Sequence, residues 1–144
     1  MIRTYIDSGV LIAAHQGETD IAVRAMEILD DPNRVFVSSA FLNLETLPKA
    51  IYHKQQSEVE FYEAFFAAVI EWASPVDVII QQAYQEACSL GLAAVDALHV
   101  AAAIALHADE LVTTEKREKP MHRVTSIKVT TLHTVKPPIP PKAA

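Results

Sequence analysis

The sequence predicts a three-layer α/β/α domain around a mostly parallel five-stranded sheet, and three observations predict it. Short β-prone segments alternate with longer stretches of helical periodicity, the pattern of crossovers that bury a parallel sheet between helices. A length of 144 residues with 51% hydrophobic and 21% charged side chains and only 3 glycines describes one globular domain, not a disordered or fibrous chain. The longest nearly apolar run, 93–106, contains Asp96 and His99 and is shorter than the ~18 to 20 residues of a membrane span. It suits a core helix, and no membrane crossing is expected.

The elements follow in order. Ile2 to Ile6 (IRTYI) read as a strand closed by Asp7, after which Val10, Ala13 and Ala14 fall at helical spacing. Ile21, Ala25, Ile28 and Leu29 mark one face of a second helix, capped by Thr19 or Asp20 and stopped by Asp30-Asp31-Pro32-Asn33. Arg34 to Ser38 (RVFVS) form the next strand. Ser38 or Ser39 then caps a helix through about His53, which Pro48 should kink or end early.

Ser57 to Trp72 read as a helix with a wide apolar surface made by Val59, Phe61, Tyr62, Phe65, Phe66, Val69, Ile70 and Trp72. Such a surface is deeply buried or forms a subunit contact, and it motivates the expectation of a homodimer. Val76 to Ile80, after Pro75, read as the third strand, and Gln81 to Leu90 as a helix closed by Gly91. The core helix 93–106, a strand from Glu110 to Thr113, a basic loop and a last strand from Ile127 to Leu132 complete a domain spanning residues 1–132. Residues 133–144 form a tail in which PPIPP holds four of the 8 prolines, an extended, polyproline-like segment.

The N-terminus, MIRTYID, shows no secretory pattern, and Cys88 is the single cysteine, so no internal disulfide or cysteine-rich zinc site is expected, and a cytoplasmic address is the default expectation. The net charge of −6 divides unevenly. Residues 1–113 carry 5 basic and 16 acidic side chains, residues 114–128 carry 5 basic and 2 acidic, and Lys136 and Lys142 follow. A broad basic field for gripping nucleic acid is excluded, so any polyanion contact must be local or mediated by metal ions.

Four acids stand out. Asp96 lies in a helix apolar almost all round, where an ionised carboxylate is costly unless something pairs with it. Glu45 has apolar helical neighbours in Phe41, Leu42 and Pro48. Asp7 and Glu115 each follow a strand. In a parallel sheet these positions gather at the carboxyl edge, where open α/β folds place their sites. Each acid also has a bland alternative: Asp7 as a helix cap, Glu45 paired with Lys49 at i+4, Asp96 favoured by a helix N-terminus, Glu115 in solvent. Converging carboxylates without basic partners stay partly protonated or bind a hard divalent cation. Oxygen-only ligation selects Mg²⁺ or Mn²⁺, the requirement of metal-assisted phosphodiester hydrolysis.

Asp7 within YIDSGVLIAA, Glu45 within SSAFLNLETLPKA, Asp96 within AAVDALHVAAAIA and the strand-end segment ADELVTTE resemble the four acidic motifs of the PIN-domain ribonucleases, which include the VapC toxins. The resemblance covers residues 1 to about 132. It implies a Mg²⁺- or Mn²⁺-dependent endoribonuclease acting on RNA, with an antitoxin protein as a partner. Catalytic roles then fall to Asp7, Glu45, Asp96 and Glu115, with Asp7 and Asp96 as metal ligands. The fourth motif departs from the family's Thr-x-Asp, because Thr113-Thr114-Glu115 supplies a longer acid. Thr113 is expected to support a carboxylate by hydrogen bonding. Lys116, Arg117, Lys119 and Arg123 are candidate RNA contacts or a solvated loop, and His99 is read as a hydrogen-bonded core histidine in preference to a phosphate ligand.

Other classes fit less well. An aspartyl-phosphate phosphatase needs a second Asp two residues after the nucleophile, and Gly9 stands there; a receiver domain needs its Asp at a strand end, whereas Asp77 begins the segment read as a strand. The serious rival is a non-catalytic PIN-like module that binds RNA or a protein.

Overall fold

A computed structural model describes residues 1–133. The elements are β1 (Ile2–Ile6), α1 (Ser8–Gln16), α2 (Asp20–Leu29), β2 (Arg34–Ser38), α3 (Ala40–Tyr52), α4 (Gln56–Ala68), β3 (Glu71–Trp72), α5 (Val76–Leu90), α6 (Ala94–Ala105), β4 (Glu110–Thr113) and β5 (Lys128–Thr131). A 3₁₀ turn, Pro120–Arg123, joins the last two strands. All five strands are parallel, in the order β3-β2-β1-β4-β5. The chain moves outward from β1 to β3 and then returns to the other side of β1, so the order reverses between β1 and β4. Crevices at such a reversal, at the carboxyl ends of the strands, are where open α/β sheets bind ligands.

Alternation along the strands builds the two outer layers. Tyr5, Val37 and Leu111 point to one face and pack with α5, α6 and the 3₁₀ turn; Ile6, Phe36 and Val112 point to the other and pack with the helices α1 to α4. In α6, Val100, Ala101, Ala102 and Ala103 are wholly buried. The small alanines let this helix lie close to both the sheet and α5, which explains an apolar pattern with no solvent stripe.

Several local expectations hold. Thr19 caps α2, its hydroxyl accepting from the Ala22 N–H at 3.1 Å. Gly91 ends α5 with a left-handed φ of 69°, a conformation that favours glycine.

Others are corrected. The third strand is Glu71–Trp72, not Val76–Ile80, which instead forms the first turns of α5. The β-branched run VDVII suggested a strand, yet of its residues only Ile79 is buried, and Ile79, Ala83 and Ala87 form a helical stripe against α6. The helix read over Ser57 to Trp72 accordingly stops at Ala68. The chain turns there, and the Ile70 and Ala73 N–H groups donate to the Phe36 and Ser38 carbonyls of β2, each at 2.9 Å. Pro48 does not end α3, which runs on to Tyr52. Pro48 and Leu44, whose carbonyl loses its donor, both lie on the exposed side, so the lost hydrogen bond does not leave a polar group in the core.

The aromatic surface that motivated a homodimer is largely the protein's own core, since Val59, Tyr62, Phe65 and Phe66 are buried. Exposed apolar side chains lie instead on α5, at Val76, Val78, Ile80 and Tyr84. The proline-rich segment falls outside the described residues. Among the described residues no single helix is long and apolar enough to cross a membrane.

Candidate active site

Asp7 leaves the end of β1 and caps α1, its Oδ1 accepting from the Val10 N–H at 3.2 Å. The capping role is therefore real, but it uses one oxygen. The other, Oδ2, accepts from the Thr113 hydroxyl at the end of β4. Thr113 Oγ1 in turn accepts from the Glu115 N–H at 3.0 Å, so one threonine ties the β1 acid to the backbone of the fourth acidic position. That backbone is held further: the Glu115 carbonyl accepts from Thr131 Oγ1 at 2.7 Å and lies 2.9 Å from His122 Nε2. Gly9 explains how closely these segments approach, because a Cβ built there would lie 2.0 Å from Thr114 Oγ1.

Asp96 occupies the first turn of α6, half-buried, and Ala93 at its N-cap provides no side-chain cap. Glu45 projects from α3 toward α6 and meets the buried His99 through Nε2, with Ser8 Oγ near its other oxygen at 3.4 Å. The alternative for Glu45, a surface pairing with Lys49, is not formed. His99 is 1% exposed and also meets Tyr5 through Nδ1 at 2.6 Å, which agrees with a hydrogen-bonded core histidine. Tyr5 was not anticipated. The available signal was that a tyrosine near the end of a β-prone segment and a histidine in an alanine-rich helix each need a polar partner when buried.

The electrostatics couple the four acids. Burial raises the Asp7 carboxyl to about 6, against the lowering by its Thr113 and Val10 donors and by His99, and Asp96 adds to the rise. Burial likewise raises Asp96, followed by repulsion from Glu115 and, less, from Glu45, with His99 opposing. The opposite edge of the sheet behaves differently. There the buried Glu110 accepts from Arg34 Nε at 2.8 Å and Thr4 Oγ1 at 3.1 Å, an acid neutralised by an arginine. Among the described residues no Lys or Arg forms an ion pair with Asp7, Glu45, Asp96 or Glu115.

The donor chemistry, oxygen ligands from four acids that lack an Arg or Lys partner and of which Asp96 is raised by its neighbours' charge, fits a hard divalent ion. In their present positions, however, no three His, Cys, Asp or Glu side chains among the described residues are close enough together to hold one.

The basic residues divide. Lys116 and Arg117 line a cleft of about 520 Å³ with Arg24 and His133. Lys119 is exposed, whereas Arg123 donates from Nη1 to the Leu90 carbonyl at 3.0 Å and so closes the end of α5.

The solved structures that share this fold include VapBC2 from Rickettsia felis bound to a DNA fragment from its promoter, at TM-score 0.69 and 17% identity over 90% of this chain and 98% of that one. A toxin-antitoxin complex from Klebsiella pneumoniae gives 0.70 and 17%, covering 92% and 99%. FitAcB from Neisseria gonorrhoeae gives 0.58 and 18%, covering 90% and 97%. No curated protein sequence matches the chain. The PIN domain family profile matches residues 4–125, from β1 to just past the 3₁₀ turn, and so takes in all four acidic motifs; the chain belongs to the PIN domain family.

Proposed function

We propose that this PIN domain is a divalent-metal-dependent endoribonuclease, the toxin of a toxin-antitoxin pair, with RNA as substrate. One observation carries the reading: Asp96 lies near enough to Asp7, Glu45 and Glu115 for their charges to influence one another, and none of the four has an Arg or Lys partner among the described residues, while the acid of the opposite edge has one. Asp7 and Asp96 would hold Mg²⁺ or Mn²⁺, with Glu45 and Glu115 completing the acidic set. When bound, the ion supplies a nucleophilic water at neutral pH and offsets charge developing on the phosphate. Thr113 holds Asp7 in place by donating to it. Lys116, Arg117, Lys119 and Arg123 would steer the RNA backbone locally, Arg123 through those nitrogens not facing Leu90. Fold similarity to chains from VapBC2 and from a toxin-antitoxin complex supports an antitoxin-like protein as partner. The exposed apolar residues of α5 offer a homodimer contact in place of the buried aromatic face.

The rival, a non-catalytic binding module, draws support from the spacing of the carboxylates, which no three share closely. Cleavage of defined RNAs with and without Mg²⁺, alongside a Mn²⁺ titration, separates the two. The enzyme binds Mn²⁺ and cuts RNA, and Asp7→Asn and Asp96→Asn each abolish cutting while the fold persists. A protein that neither binds Mn²⁺ nor cuts RNA is a scaffold.

A further inference from the structure

A line of hydrogen bonds runs behind Glu45 through the interior. Ser39 Oγ lies 2.6 Å from the Tyr5 hydroxyl, that hydroxyl lies 2.6 Å from His99 Nδ1, and His99 Nε2 meets Glu45 Oε1. Tyr5 and His99 are 0% and 1% exposed and Ser39 is 1% exposed. Only Glu45 reaches the cleft. Ser39 stands at the N-cap of α3 but makes no side-chain cap bond, so its hydroxyl serves this line instead of the helix.

The donors can be assigned by elimination. A carboxylate only accepts, so Nε2 must carry the proton that reaches Glu45. Nδ1 accepts from the Tyr5 hydroxyl in the neutral ring and donates to it in the imidazolium, and in both forms the Nε2–H faces Glu45. Burial keeps the Tyr5 phenol protonated well above its ordinary range, and the nearby Glu45 and Asp7 charges act in the same sense. A metal-independent structural role would need no polar line ending on an acid of the cleft. Three buried polar groups could be replaced by apolar ones of the same shape at little cost in stability.

We propose that Tyr5 and His99 are positioning residues for Glu45: Tyr5 anchors the imidazole through Nδ1, and the Nε2–H holds Oε1, so that Oε2 stays on the side of Ser8 and Asp7. The role in cleavage rests on the nuclease reading above, whereas the anchoring itself does not.

Long-range ¹H–¹⁵N NMR of the metal-free protein tests the anchoring. The expected result is a proton on His99 Nε2; a proton on Nδ1 alone overturns the assignment, because that ring cannot donate to Glu45. Paired substitutions test the consequence. His99→Gln keeps an amide N–H near the Nε2 position, while His99→Asn places its amide near Nδ1 and leaves Glu45 without a donor. With saturating Mn²⁺, kcat should fall ~30-fold or more in His99→Asn and within ~3-fold in His99→Gln, with KM little changed in both, the scale expected when a group supporting a catalytic carboxylate is lost. Equal kcat values in the two variants would overturn the positioning role. Should neither variant fold, Tyr5→Phe, which removes one oxygen and keeps the packing, takes their place. There the expected result is a shifted Glu45 carboxyl ¹³C resonance, and an unshifted one counts against the proposal. If the wild type cuts no RNA, the nuclease reading fails while the NMR still decides the anchoring.

Discussion

The Thr113 hydroxyl donates to Asp7 Oδ2 across the seam between β1 and β4, the point where the strand order reverses. The same oxygen accepts from the Glu115 N–H. Replacing Thr113 by the isosteric valine removes both bonds and leaves a buried carboxylate oxygen and a backbone N–H unpaired. The expected cost is ~1 to 3 kcal/mol, read as a lower midpoint in urea denaturation. Because this donor lowers the Asp7 pKa, its loss should also raise that pKa beyond about 6, which ¹³C NMR of the Asp7 carboxyl would report.

Asp7 itself makes stability depend on pH. Its folded pKa, about 6, lies above the ordinary 3.8, so the folded protein holds this proton more tightly than the unfolded chain. The contribution is fully present below about 3.8 and is lost as pH rises through about 6. Asp7→Asn removes the charge and keeps a good N-cap, so the metal-free variant should melt at the same or a higher temperature at pH 7. The part of the fall in stability between pH 4 and 6 that belongs to Asp7, on the order of 3 kcal/mol or less, should vanish. A variant that melts lower at pH 7 would show that Asp7's charged hydrogen bonds outweigh its burial.

Glu115 is the longer acid at the fourth position, and its backbone is fixed by Thr113, Thr131 and His122 while its side chain is not hydrogen-bonded within the described residues. Substitution there should therefore leave stability within ~0.5 kcal/mol, the usual range for a side chain outside the core and outside any hydrogen-bond network. After burial, Glu115 is the largest cause of the raised Asp96 pKa, so Glu115→Gln should bring Asp96 down toward its ordinary value. For cleavage, Glu115→Asp should keep activity and Glu115→Ala should lower it modestly. Wild-type cleavage by Glu115→Ala would make the site a three-acid one.

What the sequence made legible follows from where local signals and tertiary demands agree. Asp96 and Glu45 stood out because a carboxylate among apolar helical neighbours conflicts with its surroundings, and Asp7 because it closes a β-prone segment; both signals are local. The third strand was not readable. Glu71 and Trp72 form two ladder positions that exist only because α4 ends at Ala68 and the chain returns to β2, whereas Val76 to Ile80 have strand propensity that packing against α6 overrides. The face of α4 was ambiguous for a related reason: apolar width does not tell a core from an interface. Phe65 packs edge-on against Phe36 of β2 with ring centres 5.6 Å apart. Phe65→Glu should consequently unfold the protein and not merely dissociate a dimer, as loss of the circular dichroism signal would show.

The close approach of Gly9 to Thr114 gives a prediction that needs no assumption about function. Gly9 lies in the first turn of α1, where its backbone is ordinary helix, so the space beside it and not its conformational freedom restricts this position. An added methyl would lie 2.0 Å from Thr114 Oγ1, 3.2 Å from Thr114 Cβ and 3.4 Å from Asp7 Oδ1. Gly9→Ala should displace Thr114 and with it the segment after β4, at a cost of ~1 to 3 kcal/mol, more than the helix propensity of alanine returns. The strain acts through one hydroxyl, so Gly9→Ala combined with Thr114→Ala should recover most of the loss. Unfolding midpoints of the wild type, the two single variants and the double variant form a cycle with an expected coupling of ~1 kcal/mol or more, whereas additive effects would mean that Thr114 turns aside freely. Because the displaced segment carries Thr113 and Glu115, Gly9→Ala should weaken Mn²⁺ binding as well, and the double variant should restore it.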